Sequence, residues 1–125
     1  MNKKETEKLA MAAVPHYLSC CSWSSLQDES EDNFEEYTFS DRAKHTAYLD
    51  LCTFISISQH YLYGHTTDIK LSAADIGHNL WLDRAGHGAG FWDRGFVYGN
   101  TLTKLAQEMG QIEVYLSDKQ EIEFD

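Results

Sequence analysis

The residues of this chain best equipped for chemistry crowd into one glycine-rich stretch, His78–Gly95, which reads HNLWLDRAGHGAGFWDRG. His78, His87 and Asp93 are of the types that ligate a metal and would leave a coordination position open, as catalytic zinc sites do. Their spacing matches no zinc pattern, and a histidine in a short glycine turn usually serves the turn, so neither a metal nor a cofactor is expected. Arg84 and Arg94 flank the glycines and can grip a phosphate or carboxylate, helped by exposed backbone N–H groups. The competing reading is internal pairing, of Arg84 with Asp83 or Asp93 and of Arg94 with a neighbouring acid. The candidates for ligand contact are therefore His78, Arg84, His87, Asp93 and Arg94. Gly86, Gly88, Gly90 and Gly95 allow the positive φ that a tight hairpin needs. The stretch is predicted as a β-hairpin over residues 78–95, with Trp81, Phe91 and Trp92 supplying core area.

No nucleophile stands out. Ser22, Ser24 and Ser25 lie in no Gly-x-Ser-x-Gly elbow, and Cys20 and Cys21 fall in an apolar helical run that disfavours a thiolate. The GHGAG run lacks the GxxxxGK[ST] ending of a phosphate loop and the strand–helix setting of GxGxxG. The third cysteine, Cys52, makes the number odd, and no CxxC spacing occurs, so neither a disulfide framework nor a zinc knuckle is supported. No catalytic residue is assigned, and a non-enzymatic role is expected.

Acidic residues outnumber basic ones, 20 to 10, for a formal charge of −10. That balance argues against direct binding to nucleic acid or to anionic membranes, both of which reward clustered Lys and Arg. It suits a protein partner whose own groove is built for phosphates. The acids are densest in Leu26–Asp41, where Asp28, Glu29, Glu31, Asp32, Glu35, Glu36 and Asp41 occur without one basic residue. Such a run ordinarily keeps a loop solvated. Read more sharply, it offers a partner-binding surface that, with Glu108, Glu113, Glu121, Glu123 and Asp125, imitates DNA phosphates.

These side chains need a scaffold, and 125 residues with 42% apolar content suffice for one core. No apolar run reaches membrane-spanning length and the N-terminus has no signal-peptide pattern, so the expected location is the cytoplasm. A first helix is predicted from about residue 5 to 23, kinked or restarted at Pro15. A second, capped by Thr38 or Ser40, carries Ala47, Leu51, Phe54, Ile55, Ser58 and Leu62 on one stripe and closes at Gly64. After the hairpin, a helix at about 101–109 stops at Gly110, and alternating residues over 111–124 form a C-terminal hairpin ending in an edge strand. The expected fold is a single α+β domain in the order α-α-β-β-α-β-β, with helices covering one face of a four-stranded antiparallel sheet.

The run Gly77–Gly95, GHNLWLDRAGHGAGFWDRG, resembles the hallmark of a small family encoded by bacteriophages and other mobile elements, where a GHDFWLTRNGHGAGFWDRG-like stretch is usual. Similar residues extend through Ser22–Ser25, Asp28-Glu29, Asp50–Phe54, Leu102-Thr103 and Val114–Leu116, so the likeness spans roughly residues 17–124. Asn79 stands where Asp is usual and Asp83 where Thr is usual, which puts in doubt any role needing the carboxylate at 79. The family is mostly uncharacterised. The resemblance implies a phage accessory protein, and with the charge it leads to the expectation of an inhibitor that docks on a host or defence protein handling nucleic acid, by DNA mimicry. The alternative is a small enzyme or ligand-binding protein using the His, Arg and Asp residues of the motif.

Overall fold

The structure, a computed structural model, describes residues 1–25, 37–86 and 88–125. Of the acid run, Asp28, Glu29, Glu31, Asp32, Glu35 and Glu36 lie outside the described residues, as does His87. The class is α+β, with four α-helices and a small sheet among the described residues. Helix α1 spans Lys3–Ser25, α2 Asp41–Ser58, α3 Ala73–Ala85 and α4 Gly99–Glu108. Strands β1 (Thr38–Phe39), β2 (Val114–Leu116) and β3 (Glu121–Phe124) complete the described elements, with short 3₁₀ turns at Gln59–Tyr61 and Phe91–Asp93. No helix among the described residues is long and apolar enough to cross a membrane.

Helix α2 follows its pattern closely. Ser40 caps it, its Oγ accepting the Ala43 N–H at 3.0 Å, and Ala47, Leu51, Phe54, Ile55 and Ser58 are buried on one stripe that Leu62 continues. It ends before Gly64, whose φ is not positive, so the expected glycine cap is absent there. Helix α4 buries Leu102 and Ala106 and stops at Gly110, φ +93°.

Several expectations are corrected. Helix α1 runs through Pro15 unbroken, because Pro15 and Met11, whose carbonyl would have accepted the missing N–H, both face solvent. The hairpin predicted over residues 78–95 is instead the greater part of α3 followed by a loop and a 3₁₀ turn. Ser72 and Asp75 form a reciprocal capping box at the start of α3, and Gly86, φ +75°, closes it with its N–H on the Leu82 carbonyl. The sheet has three strands, not four, in the order β1-β3-β2. It is mixed, since β1 lies parallel to β3 (Thr38 opposite Glu121) while β2 and β3 form the antiparallel C-terminal hairpin (Tyr115 opposite Glu123). β3 is therefore central where an edge strand was expected, and β1 arises within the stretch read as loop.

The fold turns on the crossing of α1 and α3. A Cβ at Gly77 would lie 2.9 Å from the Tyr17 amide nitrogen and closer still to the Ala13 carbonyl oxygen, so the two backbones touch where the side chain is missing. Around the crossing, Tyr17, Ile76, Leu80 and Trp81 are buried with Phe54, Phe91 and Leu102. Tyr17 and Trp81 meet edge to face at 5.3 Å, and the Trp81 indole N–H donates to Ser24 Oγ at 2.8 Å.

Arg84 ties three helices together. Its Nη1 donates to Asp50 Oδ2 of α2 at 2.7 Å and to the Tyr17 hydroxyl of α1 at 2.9 Å, and its Nε donates to the Gly110 carbonyl at 3.1 Å. The Arg84 side chain is only 9% exposed, which removes it from the contact candidates. Its ion partner is Asp50 rather than the expected Asp83 or Asp93. Burial pushes the Tyr17 phenol above its ordinary pKa despite the guanidinium beside it, so this link stays neutral.

Two stability outcomes follow from this packing. Gly77→Ala forces the α1–α3 backbones apart and is expected to cost about 1–3 kcal/mol, the range for overpacking a close contact, read as a lower urea midpoint at unchanged m-value. Asp50→Ala strands a buried guanidinium. A fully buried pair so broken loses about 3–5 kcal/mol. With the Asp50 side chain 28% exposed, about 2–3 kcal/mol is expected, against about 1 kcal/mol for Tyr17→Phe, which removes a single neutral acceptor.

Candidate functional site

Beyond α3 the glycine-rich stretch is shaped by Asp83. Its Oδ2 accepts the Phe91 N–H and the Thr103 hydroxyl, each at 3.0 Å, fastening the 3₁₀ turn and α4 to α3. The carboxylate occupies the space where Gly90 would carry a Cβ, and Gly90 adopts φ +156°, ψ −152°, backbone open essentially to glycine alone. Burial raises the Asp83 pKa above its ordinary value, against the two donors. Asp83 is thus part of the framework. Asp93 accepts the Gly90 N–H at 3.1 Å and sits 3.7 Å from Arg94 Nε, so it shapes the turn. Asp41 is an exposed residue in the first turn of α2, where a carboxylate favours the helix dipole.

Arg94 is held differently from Arg84. Its Nε donates to Asn79 Oδ1 at 3.0 Å, and Asn79 Nδ2 donates to the Asp75 carbonyl at 2.8 Å. Asn79 is buried, and having both a donor and an acceptor partner fixes which way its amide points. The group that accepts the Arg94 hydrogen bond is therefore neutral, and the Asp93 carboxylate stands farther off, at ion-pair distance from the same Nε. Among the described residues, no hydrogen bond engages the two terminal nitrogens of Arg94, and its side chain is 40% exposed.

Arg94 belongs to the wall of an open cleft of about 580 Å³ between α1 and α3. His16, Cys20 and Trp23 line it from α1, at the i, i+4, i+7 spacing that puts them on one helix face. Asp75, His78 and Asn79 line it from α3, with Ser19 and Ser22 at its sides. The Gly77 crossing creates this neighbourhood, since His16 is itself within 3.0 Å of where a Gly77 Cβ would stand and His78 follows directly.

Burial holds the His78 pKa below its ordinary value, reinforced by Arg94 and His16 and opposed by Asp75. The cleft thus favours the neutral imidazole of His78. Cys20 is no nucleophile, because burial pushes its thiol up to about 12 even with Arg94 nearby. Among the described residues, no three His, Cys, Asp or Glu side chains come together to hold a metal ion. What the cleft offers chemically is recognition, through one guanidinium, two imidazoles and two hydroxyls around a volume large enough for a small molecule.

Of the contact candidates read from the sequence, His78 and Arg94 come together here, Asp93 braces Arg94 from the turn, Arg84 is buried elsewhere and His87 lies outside the described residues. The sequence reading passed over His16. Its only signal was the i, i+4, i+7 relation to Cys20 and Trp23, legible once α1 is taken as continuous through Pro15. No family model, no curated protein and no solved structure matches this chain.

Proposed function

We propose that this protein is a binding protein whose working site is the α1–α3 cleft, and that the cleft takes an anionic group, phosphate or carboxylate, on Arg94 with His78 and His16 beside it. The observation that carries this reading is the anchoring of Arg94 at Nε. With its hydrogen bond to an amide and its ion pair to Asp93 both at Nε, the guanidinium keeps its forked terminal donors for a ligand. Ser22-Trp23 and Gly77–Gly95, both within the resemblance noted in the sequence, meet at this cleft, which fits a shared ligand site better than a purely structural turn. Asp75 borders the cleft as well. Its carboxylate is committed to the capping box, and it confines the anion to the Arg94 side.

A second reading rests on the outer face of the sheet. Glu121 and Glu123 alternate with the buried Ile122, and Asp125 extends the file. Tyr115 stands exposed opposite Glu123. Such a face supports the role of an acidic accessory protein, of phage origin if the resemblance holds, that inhibits a host or defence enzyme handling nucleic acid. Alternate strand residues place a carboxylate about every 6.7 Å, whereas DNA presents a charge about every 3.4 Å along each strand. The file is sparse for mimicry, and the reading ranks second. It predicts retention of a nucleic-acid-binding protein from host lysate at low salt, competed by duplex DNA and lost on replacing Glu121, Glu123 and Asp125 with Lys. Retention unchanged by that replacement would sink it.

For the cleft, titration with inorganic phosphate is expected to move amide resonances of residues 16–23 and 75–79, and to raise the melting free energy by about 1.4 kcal/mol at ten times the dissociation constant. Arg94→Ala should weaken binding at least about tenfold, the loss of a charge-assisted hydrogen-bond pair. Because the free His78 pKa is depressed and a bound anion raises it, affinity for an anion whose own charge is fixed, such as sulfate, should climb as pH falls from about 8 to about 5.5, whereas phosphate itself gains a proton in this range. His78→Ala should flatten most of that slope. Phosphate affinity equal in the parent and Arg94→Ala proteins would overturn the assignment.

A further inference from the structure

The cleft is far larger than an inorganic anion. A water molecule claims about 30 Å³ in the liquid, and a phosphate a few times that, so a volume of about 580 Å³ leaves most of the site to be filled by the body of the ligand. The α1 wall shows what that body meets. His16 and Trp23 lie seven residues apart on one helix face, a rise of about 10 Å, and both line the cleft. Trp23 is 51% exposed. Tyr17, Phe39, Phe54, Trp81, Phe91, Phe96, Tyr98 and Phe124 each pack against another ring, whereas no ring of a described residue packs against Trp23. Hydroxyls of Ser19 and Ser22 flank it, the second being half-buried. A half-exposed indole on the wall of the cleft is well suited to stacking on a flat ring.

Resting on the anion-binding reading above, we infer that the ligand is a phosphate ester carrying a planar heterocycle, of the size of a nucleoside monophosphate. Its phosphate lies on Arg94 near His16 and His78, and its ring stacks on Trp23. The sugar-sized space between them faces the serine hydroxyls. A single guanidinium and two imidazoles match one phosphate group, while the negative charge of the chain as a whole disfavours a long polyanion. The site thus selects a free small molecule over a nucleic-acid strand.

The test compares inorganic phosphate, ribose 5-phosphate, adenosine, AMP and a single-stranded oligonucleotide by calorimetry on the full chain. AMP is expected to bind about tenfold or more tighter than ribose 5-phosphate, a stacking gain. That gain should vanish in Trp23→Ala and return in part in Trp23→Phe, while inorganic phosphate binds all three proteins alike. Half of the Trp23 surface is buried, so Trp23→Ala is expected to lower the urea midpoint somewhat, and unchanged binding of inorganic phosphate shows that the variant is folded and any loss of AMP binding is local. Ribose 5-phosphate binding as tightly as AMP, or an AMP advantage that survives Trp23→Ala, would overturn the ring assignment and leave the anion reading intact. Adenosine binding as tightly as AMP would overturn the anion reading instead. An oligonucleotide binding more tightly than AMP would overturn the small-molecule class.

Discussion

Everything in this molecule hangs on two helices being allowed to touch backbone to backbone. Gly77 presents no side chain to the Ala13–Tyr17 turn of α1, and helices that approach this closely must hold their neighbours in fixed positions. Tyr17 is pinned under Trp81, the Trp81 indole reaches Ser24, and Arg84 reaches the Tyr17 hydroxyl. The same contact sets His78 next to the turn bearing His16. One residue without a Cβ thus determines both how the core closes and which groups share the cleft.

The two arginines of α3 and its following loop show how partner chemistry separates structure from recognition. Arg84 is withdrawn from water and matched with a carboxylate, a phenol and a carbonyl, which engage its Nε and Nη1 and offset its charge. Arg94 leans on an amide and, at a longer distance, on the partly exposed Asp93. The difference lies in what the neighbouring groups leave unbonded. Arg84 is thereby bound into the framework, while Arg94 sits on the wall of the α1–α3 cleft.

Much of the scaffold was legible because its elements are amphipathic. The stripe of α2 from Ala47 to Leu62, the α4 positions Leu102 and Ala106, and the alternation of β3 each declare one wet and one dry face. Helix α3 declares none. Ile76, Asn79, Leu80, Trp81, Leu82, Asp83 and Arg84 are all buried, so no helical stripe survives, and the three consecutive apolar residues Leu80–Leu82 imitate a strand. The glycines then imitated a hairpin turn, although Gly86 caps a helix and Gly90 makes room for a carboxylate. Strand β1 is two residues long and owes its existence to pairing with β3 from the far end of the chain, which no local pattern announces. For the site, His78 and Arg94 were conspicuous by type. His16 was hidden behind Pro15, whose exposed position lets the helix pass where a buried proline would have broken it.

The packing of Asp83 against Gly90 also bears on how this sequence can drift. The carboxylate fills the Cβ space of the glycine, and the glycine backbone independently excludes other residues. The constraint is one-sided. Position 83 can exchange its acid for another small hydrogen-bonding residue and still serve Phe91 and Thr103, whereas position 90 has no substitute. Divergence among chains of this design should therefore run through the helix end and stop at the loop, leaving an unchanged glycine opposite a partner that varies.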